Sequence, residues 1–283
     1  MSSTQNGDQG ATAGADDFEK DQELPMKIAV LVKVVPDTYG DRKLDLETGL
    51  ADRAASEIVL DEVCERAIEV ALKYADTSSD TEVTLVSMVP SAATSTLRKG
   101  LAMGASSAVQ IVDDALTGAD LTLTAEALAA VLRRTSFDLV ITGNQSTDGV
   151  GGVIPAMLGE LLDMPVITSL NSVQITADSV SGDRTLEGGT MTASASLPAV
   201  VSITEQLPDA RFPNFKGISA AKKKPLEVLS LADLEVDPLD SNAARSIMIS
   251  IAAAPPRSAG VKIVDEGDAG SQLAEFLIKN RLT

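Results

Sequence analysis

From residue 27 onward the apolar positions follow two alternating patterns. Short, nearly unbroken apolar runs are separated by longer stretches in which apolar residues return every three or four positions. "KIAVLVKVV" (27–35), "EVTLVSMV" (82–89), "AVQIVD" (108–113) and "DLVIT" (138–142) are of the first kind. Runs of that length without alternation predict strands buried on both faces. "SEIVLDEVCERAIEVALKYA" (56–75) places Leu60, Val63, Ala67 and Ala71 on one stripe, the spacing of an amphipathic helix. Further helices are predicted over 91–105, ending at Gly104, over 120–135, and from Gly152 to Asp163, where Pro165 follows. Strands alternating with helices predict an α/β fold whose mostly parallel sheet is covered on both faces. The repeats are too few for an eight-fold barrel, so the sheet is expected to be open and doubly wound, with right-handed crossovers.

After Pro165 the pattern changes. "SVQITAD" (172–178), "DRTLEGGTMTASASL" (183–197) and "AVVSITEQ" (199–206) follow one another without helices and predict antiparallel strands or a long ribbon. Residues 207–234 read as loop, helical turn, basic triplet, strand and short capped helix. The tail from Pro255 reads as a proline-rich extended arm and a terminal helix. Residues 1–25 are polar, rich in Gly, Ser and Asp, and without periodicity, the text of a disordered leader. The expected division is a leader over 1–25, an α/β domain over 26–225 and a C-terminal arm over 226–283.

Composition narrows the function. The 283 residues are 44% hydrophobic, enough for one large core or one domain with an appendage. A net charge of -18 and a pI near 4.3 argue against nucleic-acid or anionic-membrane binding, both of which need positive surface. Histidine is absent, which excludes His-based triads, His–zinc sites and His acid–base chemistry. Tryptophan is absent and aromatics are 2%, so a stacking platform for single strands is not expected. The one cysteine, Cys64, permits no internal disulfide and fits a reducing cytoplasm. Charge interrupts every apolar run before a membrane-spanning length, and the N-terminus lacks the pattern of a signal peptide.

The chemistry concentrates in "GNQSTDGVGG" (143–152), a glycine-rich turn between a predicted strand and a predicted helix. Open parallel sheets bind ligands at the carboxyl ends of their strands, near the topological switch. Gly149, Gly151 and Gly152 can bare main-chain N–H groups, and the following helix adds its positive pole, so the turn can hold an anion although it contains no Lys or Arg. "GVGGVI" lacks the third glycine of a dinucleotide fingerprint and follows the wrong strand; no P-loop is present. The competing reading is a plain tight turn with Asp148 capping the helix. Elsewhere Asp37 reads as a turn residue, Cys64 as core, Glu65 and Glu69 as a solvated face, and Lys222, Lys223 and Lys224 as surface charge. Phe212 and Phe215 in "RFPNFKG" (211–217) are either an exposed partner contact or buried under their loop.

Taken together, and in this order, "VLVKVVPD" (30–37), "CERAIEVAL" (64–72), "LRKGLAMGA" (97–105), "DLVITGNQSTDG" (138–149), "LPAVVSI" (197–203), "AAKKKPLEV" (220–228) and "PPRSAGVKI" (255–263) resemble the beta subunit of electron-transfer flavoprotein, with "DGVGG" and "RFPNFKGI" most like actinobacterial members. The likeness runs from Met26 to the C-terminus. It implies an adenine-nucleotide-binding, Rossmann-like sheet in a heterodimer with an alpha subunit, on which the arm packs. It implies an electron carrier with no catalytic residues of its own and no metal. FAD is held mostly by alpha and AMP by beta; in bifurcating members a second FAD replaces the AMP. Dehydrogenases such as those of fatty acid oxidation dock transiently, and a quinone oxidoreductase or another acceptor takes the electrons.

By position the resemblance assigns nucleotide contacts to Leu31, Asp61, Glu62, Val63, Cys64 and Met88, and to the turn residues Gly143, Asn144, Gln145, Ser146, Thr147, Asp148, Gly149, Val150, Gly151, Gly152, Val153 and Ile154. Where many AMP-binding members carry an Asn-Gln-Thr run this chain has Gly152, Val153 and Ile154, so a phosphate would rest on peptide N–H groups and on residues 144–147. Thr38 and Val63 stand where the family often offers aromatics to the flavin. The dehydrogenase-docking loop resembles Glu205–Phe215, with Leu207 as the anchor and Arg211, Phe212 and Phe215 beside it. AMP, FAD and an empty beta site stay open, as does a stand-alone adenine-nucleotide sensor on the same sheet. An adenylating or hydrolytic enzyme ranks last.

Overall fold

The structure is a computed structural model that describes residues 25–40, 42–78, 80–257 and 259–282. Apart from Pro25, the leader expected over 1–25 lies outside the described residues. In chain order the strands are β1 (Met26–Leu31), β2 (Val34–Pro36), β3 (Ile58–Leu60), β4 (Thr81–Met88), β5 (Ser107–Ile111), β6 (Leu139–Gly143), β7 (Val166–Leu170), β8 (Gln174–Ile175), β9 (Ser179–Leu186), β10 (Gly189–Ser196), β11 (Ala199–Ile203) and β12 (Leu226–Leu229). The helices are α1 (Glu62–Ala75), α2 (Thr94–Met103), α3 (Leu121–Thr135), α4 (Ile154–Leu162), α5 (Phe215–Ala221) and α6 (Ala269–Lys279).

Seven strands form one sheet in the order β12–β5–β4–β1–β6–β11–β7, and all of its pairings are parallel. The unbroken apolar runs have their cause here, because successive side chains enter two different cores. Ile28 and Val30 pack with α1 and α2 on one face, while Ala29 and Leu31 pack with α3 and α4 on the other. From β1 the chain passes through α1 to β4 and then to β5. It then returns through α3 to β6 on the opposite side of β1, and continues outward through α4. The carboxyl ends of β1 and β6 therefore border the topological switch.

Three expectations change. The run predicted as one strand over 27–35 breaks at Val32 and Lys33, and β2 leaves the main sheet to pair antiparallel with β3. The helix predicted from residue 56 starts at Glu62, because the Asp61 carboxylate accepts the Val63 N–H at 3.3 Å and caps it there. "AVVSITEQ" is not part of an antiparallel ribbon. As β11 it lies between β6 and β7, parallel to both and buried along its whole length, and β8, β9 and β10 alone form the antiparallel sheet. That small sheet replaces a crossover helix between β7 and β11.

Past the boundary expected at 225/226 the chain continues into the main sheet. β12 pairs with β5 inside the main sheet. Arg245 then pairs with Glu126 at 2.6 Å and the Ser246 N–H donates to Asp120 at 2.6 Å, both on or beside α3. The larger compact unit therefore takes in residues 50–247 with the N-terminal part of the chain. The smaller unit is Asp45–Gly49 with Met248–Thr283; among its described residues no regular element precedes α6, and Ile249, Val261, Val264, Leu273 and Ile278 are exposed. Among the described residues no helix is long and apolar enough to cross a membrane.

Candidate functional site

The turn after β6 is held from below by Asp61. One oxygen of this carboxylate caps α1, and the other accepts the Thr147 N–H at 2.8 Å and the Thr147 hydroxyl at 3.2 Å. Asp61 is 1% exposed, so it braces the turn from inside and presents no free oxygen to a ligand. At the start of the turn Gly143 leaves room for Val63, whose Cγ1 would stand 2.6 Å from an added Cβ. The Asn144 N–H continues the sheet by donating to the Ile203 carbonyl at 2.8 Å.

Although the turn has no cation of its own, the fold brings three to it. Lys33, just past the end of β1, donates to Asp148 at 2.7 Å and to the Ser146 hydroxyl at 3.2 Å. Arg53, shortly before β3, donates to the other oxygen of Asp148 at 2.9 Å. Arg42 donates to the Thr147 carbonyl. Asp148 is thus not the cap of α4 but the counter-ion of Lys33 and Arg53, with a side chain only 8% exposed. Burial pushes its pKa up, but the Lys33 hydrogen bond, the Ser146 hydroxyl, the Lys33 charge and the Arg53 hydrogen bond together hold it well below the usual carboxylate value.

The second half of the turn faces solvent. Val150 has φ +50° and Gly152 φ +67°. For a β-branched residue the left-handed region is strained, on the order of 1–3 kcal/mol. The N-cap position of α4, Val153, makes no side-chain cap. The N–H groups of Gly151, Gly152 and Val153 make no hydrogen bond among the described residues, and all three residues are exposed. Unpaired N–H groups and a helix pole at the switch form an arrangement that accepts an anion.

The other expected contacts separate by burial. Leu31, Val63 and Cys64 are buried at the base of this edge, Met88 is half-buried at the end of β4, and Glu62 is exposed. Gln145, Gly149 and Val150 are exposed, while Asn144, Ser146 and Ile154 are half-buried. Burial pushes the Cys64 thiol up to about 12, with the Asp61 charge adding to it, so it is a core residue without nucleophilic character. Sequence reasoning missed Lys33, Arg42 and Arg53. A signal for Lys33 was present, since "VLVKVV" places one charge inside an otherwise apolar run; Arg42 and Arg53 left no local sign.

The residues assigned to docking separate in the same way. Leu207 is buried in the core and its carbonyl accepts Arg66, so it offers no exposed anchor. Phe212 and Phe215 are 94% and 93% exposed. Arg211 bonds Glu69 through its N–H at 3.1 Å, its Nε at 2.7 Å and a terminal nitrogen at 3.2 Å, and bonds Asp76 at 2.7 Å. Glu69 and Glu65 are therefore not a solvated face: Glu69 is buried with Arg211, and Glu65 pairs with Lys99. Lys224 is not plain surface charge either. Its ammonium donates to the carbonyls of Leu101, Gly104 and Ala105 at 3.0, 3.1 and 2.6 Å and caps the end of α2.

Comparison with known proteins matches residues 48–234 to the electron transfer flavoprotein domain. The chain is 43% identical over 263 residues to the electron transfer flavoprotein subunit beta of Mycobacterium leprae, covering 90% of this chain and 98% of that protein. It is 42% identical over 262 residues to that of Mycobacterium tuberculosis strain H37Rv, with the same coverage. It is 32% identical over 253 residues to that of Bacillus subtilis, covering 89% and 96%. With a glycine turn at the switch point of a doubly wound sheet and this likeness along nine-tenths of its length, the chain belongs to the electron transfer flavoprotein family, on the side of its beta subunits.

Proposed function

We propose that this chain is the nucleotide-bearing half of a heterodimeric electron carrier. With an alpha subunit it completes a flavin site, receives electrons from dehydrogenases such as those acting on acyl-CoA, and delivers them to a quinone oxidoreductase or another acceptor, in the cytoplasm. The observation that carries this reading is the turn after β6, which sets three unpaired N–H groups at the sheet's switch point. These residues fit a nucleotide phosphate. Gly151, Gly152 and Val153 would hold it by peptide N–H groups at the pole of α4, and Lys33 and Arg53 supply positive potential that Asp148 only partly offsets. FAD, when bound by the pair, supplies the redox chemistry. What this chain contributes is a braced turn, a buried sheet edge and a surface for partners.

Phe212 and Phe215 are the apolar groups offered to dehydrogenases, and a contact that small and exposed suits partners that must leave quickly. The apolar side chains exposed on the smaller unit, among them Ile249, Val261 and Leu273, are what the arm lays on alpha. The test is co-expression with an alpha subunit, followed by denaturing release and mass identification of bound small molecules. A yellow one-to-one complex that releases one flavin and AMP is expected. Two flavins would assign a bifurcating carrier instead. A colourless complex, no complex, or ATP binding by the isolated chain would overturn the proposal.

A further inference from the structure

The segment that ends in the two exposed phenylalanines is built on a charge network around one buried carboxylate, Glu69. Arg66, on α1, donates to the Leu207 carbonyl and to Asp209. One turn further along α1, Glu69 is 6% exposed and receives three bonds from Arg211, one of them from its main-chain N–H. At the end of the same helix Asp76 takes the outer edge of the Arg211 guanidinium. Both acids raise the affinity of that guanidinium for its proton, Glu69 first and Asp76 next.

Phe212 follows Arg211 immediately, and the far side of the pair is fixed as well. Asn214 caps α5 by accepting the Gly217 N–H at 2.8 Å. α5 lies so close to α2 that a Cβ on Gly217 would stand 2.4 Å from the Ala102 carbonyl oxygen. Two aromatic rings in open solvent therefore sit on a short bridge between two clamped ends.

A buried ion pair stabilises a fold weakly, since desolvation offsets most of the attraction, but it admits only one arrangement of its partners. A bidentate guanidinium is stricter still, because it fixes an angle as well as a distance. Burying Glu69 to hold a loop whose next residue is wholly exposed makes little sense as core stability. It makes sense as presentation, because a contact with few apolar groups loses affinity when those groups must be ordered on binding.

We infer that Glu69 is a positioning residue for partner docking: through Arg211 it holds Phe212 and Phe215 in the orientation that an apolar pocket on a dehydrogenase receives. The inference rests on the docking role given to this loop above. α1 thus serves two sites, bracing the nucleotide turn at its first residues and the aromatic loop along its length.

The test uses the full-length chain co-purified with its alpha subunit as the flavin complex, with an acyl-CoA dehydrogenase from the same source as electron donor. Glu69→Gln is expected to raise the KM for the complex about tenfold, with kcat within about twofold. Photochemical reduction of the same complex should keep its wild-type rate. Phe212→Ala tests the docking role by itself and should raise the KM at least as much. If Phe212→Ala leaves the KM unchanged, the docking role falls and the inference with it. If Phe212→Ala raises the KM and Glu69→Gln does not, or if Glu69→Gln slows photochemical reduction equally, the inference alone is overturned. Should Glu69→Gln give no folded complex, Asp76→Asn decides, since Asp76 lies at the surface. A rise of about two- to threefold in KM supports the inference, and an unchanged KM overturns it.

Discussion

Asp148 has a low exposure, two cationic partners and a pKa held below 3.8, and these together make its contribution depend on pH. A carboxylate whose folded pKa is depressed stabilises the fold above the unfolded value and loses that contribution as pH falls through the folded one. Denaturant midpoints of the wild type and Asp148→Asn should therefore differ by a constant amount above about pH 5, and the gap should narrow progressively as pH falls below the ordinary carboxylate value toward the depressed folded one. A gap that persists unchanged at low pH would show that packing, not charge, is what Asp148 supplies. Lys224 is a second case in which one side chain does local work. Lys224→Met keeps the stem and removes three bonds to the end of α2, and should lower stability by about 1–3 kcal/mol by thermal or urea unfolding. Substituting Lys222 or Lys223, which are exposed and make no such contacts among the described residues, should change it by less than about 0.5 kcal/mol.

At the level of elements, α1 is the hinge of the design. Its cap, Asp61, is also the floor of the glycine turn, so helix start and turn shape are one structural event. Asp61→Ala should cost about 2–3 kcal/mol, more than an ordinary cap, because it also orphans the Thr147 N–H and hydroxyl. Gly143→Ala acts on the same junction from the other side. Its new methyl would meet Val63 at 2.6 Å, which α1 and β6 cannot both accommodate without moving, at about 1–3 kcal/mol. Both variants should weaken AMP binding by the complex, measured by calorimetry, even though neither side chain points at a ligand. A wild-type affinity in both would mean that the turn keeps its shape without this brace.

For the molecule as a whole, the two cores on either side of the sheet belong to the larger unit, which closes at Ile247. The smaller unit buries little and exposes a row of apolar side chains. A chain cut after Ile247 is therefore expected to keep its far-ultraviolet spectrum and cooperative unfolding, yet fail to co-purify with alpha. If it retains alpha with full stoichiometry, the arm is not what binds alpha. If it loses cooperative unfolding, the larger unit is not self-sufficient. The net charge of -18 leaves this carrier little affinity for polyanions.

The sequence alone was enough for the periodic elements, their alternation, the open doubly wound sheet and the glycine turn at its carboxyl edge. Burial on one face or two, and the conformations glycine permits, are imposed residue by residue and leave a local trace. Only the tertiary structure decided which strands are neighbours and which charges meet. β11 reads like the ribbon strands before it, and only its place between β6 and β7 makes it parallel. Glu69 reads like any acid on a helix surface until Arg211, 142 residues away, closes over it. Lys33 and Arg53 approach Asp148 across separations of 115 and 95 residues, so an acid whose turn lacks a cation in sequence gains two cationic partners in space. The physical reason is that hydrophobic period is set by the nearest few residues, whereas an ion pair is chosen by chain crossings that a single sequence does not record.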